Sequence, residues 1–251
     1  WQRYFFKKEL NQYKCAIVFN TTASSVAKFF PSVTLSQDML PFEPGEIERY
    51  KYGLGRLRLF LLNILYVRIL MRSSAVIFLT EYASRMIQIK TGPIKNSIVI
   101  PHGVNDSFRK ISIQREFPED SKSEIRCVYI SSAAPYKHQW HVVRAIKILR
   151  DSGIPATLKL VGGGGGYSQK LLNNEVKSSD PTSSFVTQLS FVHIDNIPTI
   201  LSESDLFIFA SSCENMPVTL IEGMASGLPI ACSNRGPMPE ILRDGGVYFD
   251  P

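Results

Sequence analysis

Two glutamates separated by seven residues, Glu214 and Glu222, are the side chains of this sequence whose types and spacing best suit chemistry. An apolar run at 206–210 predicts a buried strand before the first of them, and Pro217 predicts the start of a helix that carries the second. Open parallel sheets bind ligands at the carboxyl ends of their strands, and the N–H groups at a helix start attract phosphate. Because a carboxylate repels phosphate, we interpret the glutamates as acceptors of hydrogen bonds from sugar hydroxyls on either side of a diphosphate.

The residues after Glu222 make the pattern recognisable. Gly-Met-Ala-Ser-Gly-Leu-Pro-Ile follows it directly, and Pro-Glu-Ile-Leu occupies 239–242. With the seven-residue spacing, they resemble the signature of retaining glycosyltransferases of the GT-B type, often called group 1 or family four. The resemblance implies an α/β fold of two Rossmann-like domains, in which Glu222 holds the ribose of a nucleotide sugar and Glu214 the transferred sugar. The alternative is an ordinary Rossmann-like crossover with glutamates on its surface.

A lysine adds to this pattern, since Lys137 lies between a predicted strand at 125–131 and a predicted helix at 138–151. By resemblance, Lys137 neutralises the donor diphosphate and is, with Glu214, a catalytic residue; the alternative is a solvated lysine at a helix start. Family members often carry an arginine five residues earlier, where this sequence has Ser132. The donor-binding residues that the resemblance implies are Ser132, Lys137, Gly162, Gly164, Val192, Glu214, Asn215, Met216, Pro217, Val218 and Glu222.

Five consecutive glycines at 162–166 stand between a predicted strand and a predicted helix. The run fails the dinucleotide-binding fingerprint, because Tyr167 occupies the place of the third glycine. By resemblance, this turn lets the backbone approach the nucleotide. A merely flexible turn is the alternative.

The acceptor side is expected at Gln37 and Asp38, which end a predicted strand at 32–36. Many family members carry a His-Asp pair there, facing the reacting sugar. Gln37 can donate a hydrogen bond to a sugar hydroxyl but cannot take up a proton.

The resemblance further implies an enzyme that transfers a hexosyl group without a metal ion, because Lys137 and the helix start take the place of a divalent cation at the leaving diphosphate. No cofactor is expected, only a nucleotide-sugar co-substrate. The expected acceptor is a glycan or lipid-linked molecule in surface polysaccharide or lipopolysaccharide biosynthesis, on the inner face of the cytoplasmic membrane. Two alternatives stay open: a nucleotide-sugar binder without catalysis, which Ser132 and Gln37 suggest, and a structural subunit of a membrane assembly.

Composition narrows the class of protein. The net charge of +6 suits an anionic ligand or membrane surface, and no basic run or motif indicates nucleic-acid binding. Four scattered cysteines indicate a reduced, cytoplasmic setting. His138 and His141 lack further metal-ligating neighbours, so we interpret them as surface residues.

Along the chain, apolar runs alternate with helical patterns, which predicts two parallel α/β domains at 1–105 and 125–251, joined by a polar linker at 106–124. About four strands precede the linker, at 15–20, 32–36, 76–80 and 97–100, with a short helix expected at 22–30. Six strands follow the linker, at 125–131, 156–161, 185–192, 206–210, 228–232 and 247–249. The first domain is therefore expected to be incomplete, and we expect the chain to be a fragment that lacks an N-terminal part and the C-terminal helices.

A long helical pattern at 46–71 is apolar nearly all round but contains arginines, so it does not predict a transmembrane span. A helix packed between the sheet and a partner domain is slightly favoured over a helix that lies on an anionic membrane.

Overall fold

A computed structural model of the chain describes residues 5, 7–24, 29–50, 53–109, 117 and 123–251. This part of the chain divides into two compact units: Trp1–His102 with Cys213–Met216, and Gly103–Ser212 with Pro217–Pro251. Each unit contains one parallel sheet, so the fold is α/β with Rossmann-like halves, as the sequence predicts. The partition at 1–105, 106–124 and 125–251 stays a prediction, since most of 106–124 lies outside the described residues.

The first unit has a parallel sheet of four strands among its described residues, in the order β1-β2-β3-β4. Its elements are helix α1 (Lys7–Gln12), strands β1 (Val18–Asn20) and β2 (Ser32–Leu35), helix α2 (Leu54–Arg72), strand β3 (Ala75–Phe78), helix α3 (Glu81–Thr91) and strand β4 (Ser97–Val99).

Where it is described, the second unit has a parallel sheet of six strands in the order β10-β9-β8-β5-β6-β7. Its elements are β5 (Ile125–Ile130), α4 (Gln139–Asp151), β6 (Ala156–Val161), α5 (Gly166–Ser179), β7 (Val186–Leu189), α6 (Ile197–Ser202), β8 (Leu206–Phe209), α7 (Val218–Ala225), β9 (Ile230–Ser233), α8 (Met238–Leu242) and β10 (Val247–Phe249). All six strands are parallel, but β6 and β7 are added on one side of β5, whereas β8, β9 and β10 are added on its other side. The order therefore reverses between β5 and β8, and such a reversal opens a crevice at the carboxyl ends of the strands.

The core of the second unit explains why its strands read as apolar runs. Tyr129 of β5 and Phe207 and Phe209 of β8 are fully buried. The rings of Tyr129 and Phe209 meet edge to face, with centroids 6.2 Å apart. Strands covered on both faces need apolar residues at nearly every position, and that composition predicts them.

Several predicted boundaries are wrong. The helix expected at 46–71 begins only at Leu54, because 46–50 forms turns before Gly53. The strand expected at 185–192 is shorter, Val186–Leu189, and the strand expected at 15–20 is Val18–Asn20. Helices α1 and α8 have no counterpart in the sequence prediction, and the helix predicted at 22–30 lies partly outside the described residues.

No helix in the described part of the chain has both the length and the apolar character to cross a membrane.

The glycine that follows β6 holds the ends of two neighbouring strands close together. Gly162 has φ +116°, and a Cβ atom there would lie 2.6 Å from the carbonyl oxygen of Ser131, which follows β5. Only glycine combines this backbone angle with so close an approach.

Replacing Gly162 with alanine is expected to lower the free energy of unfolding by at least about 2 kcal/mol, since the unfavourable backbone angle and the overpacking each cost roughly 1–3 kcal/mol. Gly163→Ala is the matched control in the same run, because its Cβ would lie 3.4 Å from the nearest atom, in Ser190. Urea unfolding followed by circular dichroism measures both variants. Equal losses would contradict the assigned role of Gly162.

Candidate functional site

Lys137 stands at the point where the strand order of the second unit reverses. It ends a turn of 3-10 helix, Pro135–Lys137, that follows β5. Its Nζ atom lies 5.3 Å from the ring centroid of Tyr136 and 5.7 Å from that of Phe209, the last residue of β8. The ammonium group is therefore placed at the carboxyl end of β8, where aromatic faces attract it.

Hydrogen bonds fix the loop that carries Lys137. The buried hydroxyl of Tyr129 donates to the carbonyl oxygen of Lys137 at 2.6 Å. The carbonyl oxygen of Tyr136 accepts the N–H of Ser212 at 2.8 Å. The loops after β5 and β8 are thus joined directly, which holds the lysine in a set position.

The position of His138 differs from the sequence-based expectation of a surface residue. This residue is 1% exposed, and its Nε2 atom lies 2.9 Å from the Oγ atom of Ser212. It adopts the left-handed conformation, with φ 51° and ψ 24°, at the start of α4. The sharp turn between β5 and α4 drives this side chain inward, whereas His141 is exposed as expected.

Glu222 is the second feature of the site. It lies in α7 and is 5% exposed, and its carboxylate makes no hydrogen bond or ion pair with any described residue. Burial raises its pKa from 4.5 to about 7. A buried carboxylate without a partner is costly, so its retention marks a candidate binding group.

Helix α7 packs closely on β8, and this contact places Glu222. A Cβ atom on Gly223 would lie 2.9 Å from the ring of Phe207. Pro217 caps the helix rather than occupying its first turn, and its carbonyl oxygen accepts the N–H of Leu220 at 3.1 Å. The N–H groups of Val218 and Thr219 precede this first bond, and such groups attract anions.

The structure divides the sequence-predicted donor residues between the two units. Lys137, Pro217, Val218 and Glu222 lie in the second unit, as do exposed Ser132, half-buried Val192, and the glycines at 162 and 164. Glu214, Asn215 and Met216 belong to the first unit. Their roles in donor binding stay predictions.

Asn215 anchors this segment within the first unit. It is 6% exposed, its Nδ2 atom donates to the carbonyl oxygen of Ser36 at 2.7 Å, and its main-chain carbonyl oxygen accepts from Thr80 Oγ1 at 3.2 Å. The residue after Glu214 is therefore bonded to the loop that follows β2, where the predicted acceptor residues lie.

Those acceptor residues, Gln37 and Asp38, are exposed. The Tyr66 hydroxyl, from α2, donates to Asp38 Oδ2 at 2.9 Å. Burial and the neighbouring Asp38 carboxylate raise the pKa of Tyr66 to about 12.

The sequence pattern did not identify Tyr66 or Ser212, because their partners Asp38 and His138 lie 28 and 74 residues away in the chain. It also missed Tyr129, because this residue is part of an apolar strand and its type alone does not indicate the hydrogen bond.

Among the described residues, no group of three or more His, Cys, Asp or Glu side chains is placed to hold a metal ion.

Comparisons with known proteins identify the family and the fold. A family model described as "Glycosyl transferases group 1" matches residues 110–251. The O-antigen chain mannosyltransferase B of Escherichia coli is 23% identical over 124 residues, which cover 49% of this chain and 32% of that enzyme. The chain thus matches about a third of the length of this curated relative.

Two solved structures share the fold. Sucrose-phosphate synthase from Thermosynechococcus elongatus has a TM-score of 0.76 at 16% identity, covering 98% of this chain and 63% of that one. Anabaena Alr3699/HepE, in complex with UDP and glucose, has a TM-score of 0.74 at 20% identity, covering 98% of this chain and 67% of that one. At these identities the likeness establishes the GT-B fold alone.

The raised pKa of Glu222 predicts how stability depends on pH. Between about pH 4.5 and 7, an ordinary glutamate ionises in the unfolded chain while Glu222 stays protonated in the folded state. The folded state then binds more protons, so the free energy of unfolding falls as pH rises through this window.

We expect Glu222→Gln to reduce that fall, and Glu203→Gln, at an exposed glutamate, to leave it unchanged. Urea unfolding at pH 5, 6, 7 and 8 measures the difference. Parallel profiles for the parent and Glu222→Gln would refute the buried, unpaired state of this carboxylate.

Proposed function

Because the chain belongs to the glycosyl transferases of group 1, we propose that it transfers a hexosyl group from a nucleotide sugar to a glycan or lipid-linked acceptor, with retention of anomeric configuration. The observation that carries this proposal is Glu222, a buried carboxylate without a described partner on a helix whose start attracts anions. Lys137 follows β5, whereas α7 follows β8, and the strand order reverses between these two strands. A nucleotide sugar needs such groups: cations and N–H donors for its diphosphate, and acceptors for its hydroxyls.

The diphosphate would bind to Lys137 and to the start of α7. When the bond between the sugar C1 atom and the diphosphate oxygen breaks, its electron pair stays on the diphosphate, and negative charge grows there. A fixed ammonium group and N–H groups stabilise this charge most in the transition state. In this proposal they replace a divalent metal ion, and the enzyme needs no cofactor besides its nucleotide-sugar co-substrate.

Glu222 would accept hydrogen bonds from the ribose of the nucleotide. A hydroxyl that donates to a carboxylate favours its charged form, so donor binding would lower the pKa of Glu222 and release a proton near neutral pH. The Anabaena neighbour binds UDP, which has both a ribose and a diphosphate. Thermal stabilisation by a panel of nucleotide sugars identifies the base that this protein prefers.

Glu214 would hold the transferred sugar, and Gln37 and Asp38 the reacting hydroxyl groups on the acceptor side. Asp38 is held by Tyr66 through a hydrogen bond, which orients its carboxylate. Gln37 donates and accepts hydrogen bonds but takes up no proton, so it would position a hydroxyl rather than act as a base. We place this reaction in surface polysaccharide biosynthesis, at the inner face of the cytoplasmic membrane.

A second candidate function is nucleotide-sugar binding without catalysis. Two residues favour it: Ser132, exposed where related enzymes often carry an arginine, and Gln37, which replaces a histidine. A binding assay and a transfer assay on the same protein separate the two functions, because only the first would give a signal for a binder.

Replacing Glu222 with alanine should weaken donor binding by roughly 1.5–3 kcal/mol, more than about tenfold in Kd, because a charged hydrogen-bond partner is lost. Calorimetric titration with UDP and other nucleoside diphosphates measures this. Glu203→Ala is the control, since this glutamate pairs with Lys159 elsewhere in the unit. If Glu222→Ala binds as tightly as the control, the ribose assignment fails.

Lys137→Ala, made in the longest available form of the protein, should lower the turnover number more than it weakens donor binding, because leaving-group charge peaks in the transition state. The exposed Lys170→Ala serves as control and should change neither quantity. Activity should also persist in excess EDTA. Loss of activity in EDTA with recovery in magnesium would instead show that a metal ion performs the role given to Lys137.

A further inference from the structure

Helix α2 has two apolar sides, and only one of them is used by the core. The buried side carries Leu59, Tyr66 and Leu70. Away from it, Leu54, Leu57 and Leu61 are 86%, 54% and 55% exposed. Their spacing of three and four residues places them on one stripe of the helix, which faces away from the core of the first unit.

The same stripe continues to the end of the helix. Arg68 and Met71 follow Leu61 by seven and ten residues and are also exposed, Met71 to 62%. Phe60, 58% exposed, lies at one edge of the stripe. This row of large apolar side chains, with Arg68 in it, is here named the α2 outer face: Leu54, Leu57, Phe60, Leu61, Arg68 and Met71.

The charge along this face has a single sign. Arg58 and Arg72 are exposed beside it, and neither they nor Arg68 form an ion pair with any described residue. The sequence of α2 contains four arginines and no aspartate or glutamate. Charged groups on a helix that faces only water commonly have both signs, so this bias indicates an anionic partner.

We propose that the α2 outer face docks onto an anionic lipid bilayer, with the helix lying parallel to the surface. Leucine, phenylalanine and methionine side chains would enter the boundary between headgroups and acyl chains, while Arg58, Arg68 and Arg72 pair with lipid phosphates. The helix has 19 residues and is about 28 Å long, and the spacing of these residues places them on one side of it, so all of these groups reach one plane. The proposal stands on α2 alone and does not require the proposed sugar transfer.

Binding to vesicles tests the charge of the face. We expect the chain to sediment with vesicles of phosphatidylcholine and phosphatidylglycerol, to bind vesicles of phosphatidylcholine at least about tenfold more weakly, and to dissociate in high salt. The triple variant R58Q/R68Q/R72Q should lose at least about tenfold in vesicle affinity. The matched control, K95Q/K170Q/K177Q, removes the same charge from exposed lysines elsewhere and should bind like the parent.

A fluorescent probe tests the apolar part of the face. Phe60→Trp should give a blue-shifted emission on adding anionic vesicles and should be quenched by brominated lipids, once the signal of the parent is subtracted. Ile148→Trp, at a residue 63% exposed on α4, is the control and should show neither effect. Circular dichroism of each variant confirms folding before vesicles are added.

Four results would overturn the proposal. Equal losses in the two triple variants would show adsorption through net charge alone, and equal binding to neutral vesicles would remove the role of the arginines. Vesicle binding by this chain but not by a longer form of the protein would show that another segment covers the face. Self-association that Leu57→Ser and Leu61→Ser abolish, without vesicle binding, would assign the face to a second copy of the chain.

Discussion

The pairing of β5 with β8 is the constraint on which the second unit depends. Cys127 and Val128 of β5 lie beside Leu206 and Phe207 of β8, although about eighty residues separate them in sequence. Arg126 and Asp205 secure the amino end of this pair, with Nη2 and Oδ1 2.6 Å apart. At the other end, the loop with Lys137 is bonded to Ser212. One strand pair thereby sets the distance between the lysine after β5 and the helix after β8.

The candidate site contains a buried carboxylate, that of Glu222, without a described hydrogen-bond partner. Helix α7 is short and apolar, and a glutamate at a buried position in it lowers stability at neutral pH. Elsewhere in the same unit, buried Asp180 accepts hydrogen bonds from Ser184, Phe185 and Val186; although burial alone would raise its pKa, these bonds bring the pKa below the ordinary value. The carboxylate of Asp180 therefore has a structural role, whereas that of Glu222 remains available to a ligand.

Much of this arrangement is encoded locally and can be predicted from the sequence. Strands covered on both faces need unbroken apolar runs, and glycine and proline mark the ends of α7, so the strands and the helix with Glu222 are predicted within a few residues. The start of α2 is predicted poorly, because Ile47 and Tyr50 are spaced as on one face of a helix, but residues 46–50 form turns. His138 illustrates a different limit: its partner Ser212 is 74 residues away, and a polar residue type gives no sign of burial.

The segment Cys213–Met216 also has a consequence for how the polypeptide can be divided. The chain leaves the first unit after His102, returns for four residues, and leaves again at Pro217. No single cut therefore yields both units as continuous pieces. A polypeptide that starts at Gly103 would contain the four residues but lack Ser36 and Thr80, to which Asn215 is bonded. The two glutamates of the motif are thus positioned by different hydrophobic cores, and exchanging one unit between related proteins would separate Glu214 from the residues that hold it.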